Sequence, residues 1–353
     1  MATSYVDLRS DTVTRPTPAM RQAMAEAEVG DDVFHEDPTV RLLEEETAAV
    51  LGKEASLFVP SGCMGNEISV SIQTKRGDSL LLHRDSHLVL TEAAAVTELL
   101  GRKYHMIDGD RGRMRPEDVS ASLAASPTNP GTIAMVEVEN TVNWGNGSIY
   151  QLPQLEAIGE VARARGLPVH LDGARLWNAS AATGISPAAY AAVADTVMVC
   201  YSKGLGAPVG SAIAGTRAAI QEARLARKMF GGGMRQVGVV AAAALHGLKR
   251  HRERLPEDHR RARRLAEAIA ATPGLRLDHR EIETNIVIAE IEEPHDRIHA
   301  FVAAVESEGV RLAAFGGPGR FRAVTHLDVD DAGLERAIAA IRRAAASVLQ
   351  AKR

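Results

Sequence analysis

The residues with the most telling chemistry are Asp172 and Lys203. Asp172 follows the apolar run at 167–171 (LPVHL), and Lys203 follows another at 195–201 (DTVMVCY); both runs read as buried strands. Ligand sites of open α/β sheets form at the carboxyl ends of the strands, so one carboxylate and one amine are expected to share a crevice. That pair suits pyridoxal phosphate. The amine bonds to the cofactor's aldehyde, and the carboxylate pairs with the ring nitrogen so that the ring can accept electrons. An Asp and a Lys at strand ends are also ordinary surface residues, and three glycine-rich segments add weight. Gly204–Gly210 (GLGAPVG) follows the lysine and lets backbone approach a flat cofactor. Residues 60–66 (PSGCMGN) lie between a strand and a helix whose first amides could hold a phosphate. Residues 231–235 (GGGMR) bring Arg235, a possible second phosphate ligand. None of these matches a P-loop or a spaced GxGxxG, which disfavours ATP and dinucleotides.

The elements that must position these groups alternate along the chain. Apolar residues at helical spacing fill 38–51; strand-like runs occupy 56–60, 79–83 and 132–138; an amphipathic helix spans 152–165 and closes at Gly166. Short apolar strands between helices predict a parallel or mostly parallel sheet covered on both faces. After residue 217 come helices at 217–228, 235–252 and 259–271, strands at 275–277 and 285–291, and a helix at 295–308. Strands near 310–313 and 321–324 and a final helix at 331–349 complete a smaller α+β unit. The expected organisation is an N-terminal segment (1–16), a large α/β domain (17–250) and a small C-terminal α+β domain (251–353).

Composition narrows the class. The 353 residues carry 41 Lys+Arg against 45 Asp+Glu, a formal charge of −4, which argues against electrostatic nucleic-acid binding. Two cysteines are too few for a disulfide scaffold or a thiolate metal cage, and the histidines and acids show no zinc spacing, so no metal is expected. No apolar run approaches the ~18 residues of a membrane span, and the N-terminus lacks a basic-then-apolar leader; a soluble cytoplasmic protein is expected. His170 reads as a buried hydrogen-bonded residue, Met198 and Cys200 as core, and His251, His259 and His279 as solvated.

Taken together, the motifs resemble the low-specificity L-threonine aldolases of the aspartate-aminotransferase-like, fold-type I class of pyridoxal-phosphate enzymes. The resemblance runs through DLRSDTVTRP (7–16), VGDD (29–32), EDPTV (36–40), GKEASLFVPSGCMGN (52–66), DSH (85–87), HLDGAR (170–175), SKGLGAPVGS (202–211), RKMFGGGMRQ (227–236) and VTHLDV (324–329). It implies that Lys203 bonds to the cofactor, that Asp172 pairs with the ring nitrogen and that His87 stacks on the ring. Gly62, Cys63, Ser202 and Arg235 match phosphate-binding positions. Ser10, Arg175 and Arg322 match the groups that hold the substrate carboxylate, a task suited to the planar guanidinium fork.

The implied reaction is retro-aldol cleavage of a β-hydroxy-α-amino acid, such as L-threonine, L-allo-threonine or phenylserine, to glycine and an aldehyde. A β-eliminating lyase, dehydratase or racemase is the alternative within the same cofactor class. The base that takes the hydroxyl proton is His87 or a water that it holds. The resemblance also implies a homotetramer. The chain departs from the family pattern at the substrate side. Asn129 stands in a region where a histidine is usual, Phe34 and His35 replace a Tyr-Gly pair, and Cys63 stands where Thr is usual. These changes bear on substrate choice, and Asn129, Phe34 and His35 are expected near the substrate.

Overall fold

The computed structural model describes residues 5–125, 132–292 and 294–349. The chain divides into two compact units, Pro16–Arg252 and a smaller one in which Met1–Arg15 joins Glu253–Arg353. Strand β1 (Val6–Asp7) belongs to the smaller unit. The next seven, β2 (Ala55–Val59), β3 (Ser79–His83), β4 (Lys103–Ile107), β5 (Ile133–Glu139), β6 (Val169–Gly173), β7 (Thr196–Cys200) and β8 (Ser211–Gly215), form the sheet of the larger unit in the order β2-β8-β7-β6-β5-β3-β4. Strands β3 to β7 pair in parallel, while β8 runs antiparallel to both β7 and β2. Every residue of β3, β6, β7 and β8 is buried, as a sheet covered by helices on both faces requires.

Local signals explain the helices that frame this sheet. Helix Pro38–Leu51 starts at Asp37, whose carboxylate accepts from the Val40 amide, has Pro in its first turn and ends at Gly52 with φ of 62°. Helix Gly62–Gln73 starts at Ser61, whose hydroxyl accepts from the Met64 amide. Of the glycine-rich segment 60–66, residues 62–66 therefore open this helix. Its glycines serve packing: a Cβ at Gly62 would lie 2.8 Å from Cys200 Sγ, and one at Gly65 2.7 Å from Met198 Cγ. Leu57, Val59, Ile68, Ile213 and Ile220 join β2 and β8 to the helices Gly62–Gln73 and Arg217–Met229.

Two other positions differ from expectation. Asp172 lies inside β6 rather than after it, because β5 and β7 extend the pairing past Leu171. The helix expected from 235 begins at Gly238, whose amide donates to the Asp37 carboxylate. Among the described residues no helix is long and apolar enough to cross a membrane.

In the smaller unit, β9 (Leu275–Leu277), β10 (Ile286–Ile291), β12 (Ala313–Ala314) and β13 (Arg320–Val324) form an antiparallel sheet in the order β12-β13-β10-β9, while β11 (Val310–Arg311) pairs in parallel with β1. Phe301 and Phe321 pack with ring centroids 5.3 Å apart in its core. His259, expected to be solvated, is 2% exposed, and burial lowers its pKa to about 4. Its place on the apolar face of helix Leu255–Ala270, beside Ala262 and Ala266, outweighs the charged residues around it in sequence.

Candidate active site

The parallel strands bring their carboxyl ends to one edge of the larger unit's sheet, and the register sets Asp172 between Glu139 on β5 and Met198 on β7. Asp172 is 1% exposed, and its two oxygens accept from Asn66 Nδ2 at 2.9 Å and the Ala174 amide at 2.9 Å. The Asn66 amide nitrogen also donates to Glu92 Oε1 at 3.2 Å. Because ionised carboxylates only accept, Nδ2 must face them and Oδ1 must accept from His170 Nε2, 3.1 Å away. His170 Nδ1 then accepts from the Thr196 hydroxyl at 2.8 Å, and that oxygen accepts from Gln73 Nε2 at 2.7 Å. Burial lowers the His170 pKa to about 4, so the ring is neutral and suited to this one-donor, one-acceptor role.

Lys203 lies just past β7, part-buried, with Nζ 3.5 Å from Cys200 Sγ; the sulfur also accepts from Ser211 Oγ at 3.2 Å. Cys200, expected as plain core, thus borders the lysine. The loop that carries Lys203 closes on itself, because the Tyr201 and Ser202 amides both donate to the Gly210 carbonyl. Gly210 has φ of 111° and lies so near the Phe58 ring that a Cβ would come within 2.5 Å of it. Gly62 and Cys63 open helix Gly62–Gln73, with Cys63 exposed. Although the residue is exposed, partial desolvation of the thiol by its neighbours and then the Glu92 charge push Cys63 up to about 12, against the pull of the Lys203 cation. Arg175 is buried at the start of helix Leu176–Thr183 and donates to Asn143 Oδ1 at 3.3 Å. Arg235 is exposed and donates to Asp31 Oδ2 at 3.1 Å.

His87 opens the short helix His87–Leu90. Its Nδ1 lies 2.5 Å from Glu92 Oε1, and its amide donates to Glu139 Oε2 at 3.1 Å. Burial by itself would lower the His87 pKa, but the carboxylates of Glu92, Asp172 and Glu139 hold it above the ordinary value. Burial and the Asp172 charge push the pKa values of Glu137 and Glu139 upward. Glu137 Oε2 accepts from Ser86 Oγ at 2.9 Å, and Glu139 Oε1 accepts from the Asn143 amide at 2.8 Å. Asn66, Glu92, Glu137 and Glu139 had not been picked out from the sequence. Asn66 closes the 52–66 motif, whereas nothing in the sequence around Glu92 ties it to His87.

Phe34 and His35 are exposed residues of the turn after Asp32; Phe34 is 68% exposed, and His35 has φ of 60°. Ser10 and Arg322 belong to the smaller unit. The Ser10 hydroxyl accepts from the Thr12 amide at 3.2 Å, while Arg322 donates to the Arg9 carbonyl at 3.1 Å and stacks on Phe315, 4.4 Å from its centroid. His326 Nε2 donates to the Asp7 carbonyl at 2.7 Å. Asn129 lies outside the described residues.

This mixed seven-stranded sheet, with the antiparallel unit that follows it, is the fold of the fold-type I pyridoxal-phosphate enzymes. The threonine aldolase of Leishmania major superposes with a TM-score of 0.82 at 19% identity, covering 96% of this chain and 99% of that one. A serine palmitoyltransferase determined with pyridoxal phosphate gives 0.76 at 19% identity, covering 98% and 88%. In sequence, the chain is 42% identical over 333 residues to low-specificity L-threonine aldolase 1 of Arabidopsis thaliana, covering 92% of each. Residues 7–292 match the beta-eliminating lyase family, and the chain belongs to it, among the relatives of the low-specificity L-threonine aldolases.

Proposed function

We propose that this protein is a pyridoxal-phosphate-dependent aldolase that cleaves L-threonine, L-allo-threonine or a bulkier β-hydroxy-α-amino acid such as phenylserine to glycine and an aldehyde. The residues present fit the cofactor. A buried carboxylate held by two donors, an amine just beyond the neighbouring strand and a helix opening with Gly62 and the exposed Cys63 are the groups that its ring nitrogen, aldehyde and phosphate require. When bound, the cofactor supplies an electron sink for the bonding pair released as Cα–Cβ breaks.

The chain's own residues do the rest. Lys203 anchors the aldehyde carbon, Asp172 pairs with the ring nitrogen and His87 stacks on the ring. Ser202, Arg235 and the Gly62 and Cys63 amides hold the phosphate. Arg175 fixes the substrate carboxylate and so selects which bond at Cα is aligned for cleavage. The family motifs assign Ser10 and Arg322 to a substrate carboxylate, and Asn129, Phe34 and His35 to the side-chain end of the substrate. His87, directly or through one water, takes the β-hydroxyl proton. The family pattern further supports a homotetramer, which native mass measurement tests.

The observation that carries this reading is that Asp172 on β6 and Lys203, three residues past the end of the paired strand β7, both act on the Cys63 thiol at the opening of helix Gly62–Gln73. The test follows glycine and aldehyde together over a panel of β-hydroxy-amino-acid diastereomers, with Lys203→Ala as the control. Equal glycine and aldehyde from the native chain, with loss of both products and of the lysine-bound cofactor absorbance in the variant, is expected. Ammonia and a keto acid without glycine would replace the aldolase reading with elimination.

A further inference from the structure

Glu92 follows the short helix of His87, and its side chain is only 2% exposed. Its Oε1 meets two groups, His87 Nδ1 at 2.5 Å and Asn66 Nδ2 at 3.2 Å, and that same amide nitrogen donates to Asp172 at 2.9 Å. A primary amide has two hydrogens, and here both go to carboxylates. His87, Glu92, Asn66 and Asp172 therefore form one continuous chain of hydrogen bonds. Glu92 Oε2 is buried with no nitrogen or oxygen partner among the described residues, and the Cys63 thiol hydrogen-bonds to the carboxylate. A desolvated carboxylate whose partners are His87, Asn66 and Cys63 is a poor way to hold a fold together, and such groups concentrate at working sites.

We propose that Glu92 is a positioning residue of the reaction: through Asn66 it ties the His87 imidazole to the Asp172 carboxylate, and it claims Nδ1 so that Nε2 is the nitrogen left to exchange the substrate's proton. The proposal rests on the functional reading above, in which His87 and Asp172 contact the cofactor. Four groups bear on the imidazole: Glu92 after its own helix, Glu139 from β5, Asp172 from β6 and Cys63 from the first turn of helix Gly62–Gln73. Glu92 is the one hydrogen-bonded to the ring itself, and that hydrogen bond, ahead of the charges of Asp172 and Glu139, favours a proton there.

The test compares the full-length holoenzyme with Glu92→Gln, which keeps the shape but loses the charge, and with Glu92→Asp, which keeps the charge. Two readouts are taken: the pH profile of kcat/KM, and the cofactor dissociation constant followed by absorbance without substrate. In Glu92→Gln the acid limb should move to lower pH, because the neutral imidazole then persists further into acid. Cofactor dissociation should rise about tenfold, the worth of one hydrogen bond to a charged group. Glu92→Asp should move the limb back toward the native position. A Glu92→Gln variant whose kcat drops while its acid limb and cofactor affinity stay native would reduce Glu92 to a packing role and overturn the proposal. A native chain that binds no cofactor at all would refute the functional reading itself, and this proposal with it.

Discussion

Lowering the pH should destabilise the larger unit through His170. The ring is fully buried between Thr196 and Asn66, and burial holds its pKa at about 4 against an ordinary 6.5. The folded chain thus binds this proton less readily than the unfolded chain. Above pH 6.5 neither state is protonated here, and His170 adds no pH dependence. As pH falls from 6.5 toward 4, the unfolded state takes up the proton first and stability is lost. A depression of 2.5 pH units at ~1.36 kcal/mol per unit gives about 3 kcal/mol lost between pH 7 and pH 4. His170→Gln isolates this contribution, since its amide can still donate to Asn66 but does not titrate. Urea unfolding of the holoenzyme at fixed concentration and several pH values measures it. Tryptophan fluorescence is the natural probe, because Trp144 and Trp177 both lie in the larger unit. The native chain should lose about 3 kcal/mol more than His170→Gln over that window. Parallel pH curves for the two proteins would refute the reasoning.

Two further outcomes follow from other buried groups. Arg227 and Asp32 pair at 2.5 Å with side chains only 3% and 4% exposed, so Arg227→Ala leaves the buried Asp32 carboxylate with only the longer 3.9 Å pairing to Arg224 and should cost about 3 kcal/mol in urea unfolding, part of it recovered by adding Asp32→Asn. The Cys63 thiol, pushed up to about 12, should carry much less thiolate at pH 8 than a free peptide cysteine. Its alkylation by iodoacetamide, read by mass spectrometry, should be correspondingly slow, and peptide-like labelling would show that the site leaves it solvated.

Much of the scaffold was legible before any coordinates. The boundaries of helix Pro38–Leu51 and strand β3 follow directly from cap residues and apolar runs, both short-range signals. Strands β4 and β8 escaped notice for different reasons. Lys103–Ile107 lies at the sheet edge with an exposed end, and Ser211–Gly215 is built of small residues whose burial depends on pairing with β2 and β7. His259 was misjudged because its neighbours are charged while its helix face is apolar.

The same division runs through the site. Lysine, aspartate, glycine-rich turns and their order along the chain are chemical identities, readable without coordinates because a covalent amine anchor and a ring-nitrogen partner admit few residue types. The roles of Asn66, Glu92 and His170 are not identities but meetings. They exist because β6 pairs with β5 and β7 in one register and because helix Gly62–Gln73 packs closely enough on β7, through glycines, to point Asn66 at Asp172. Residues 66, 92 and 172 are distant in sequence, and a hydrogen bond is won or lost over a few tenths of an ångström. Which buried carboxylate is partnered by which amide was therefore decided by the packing alone.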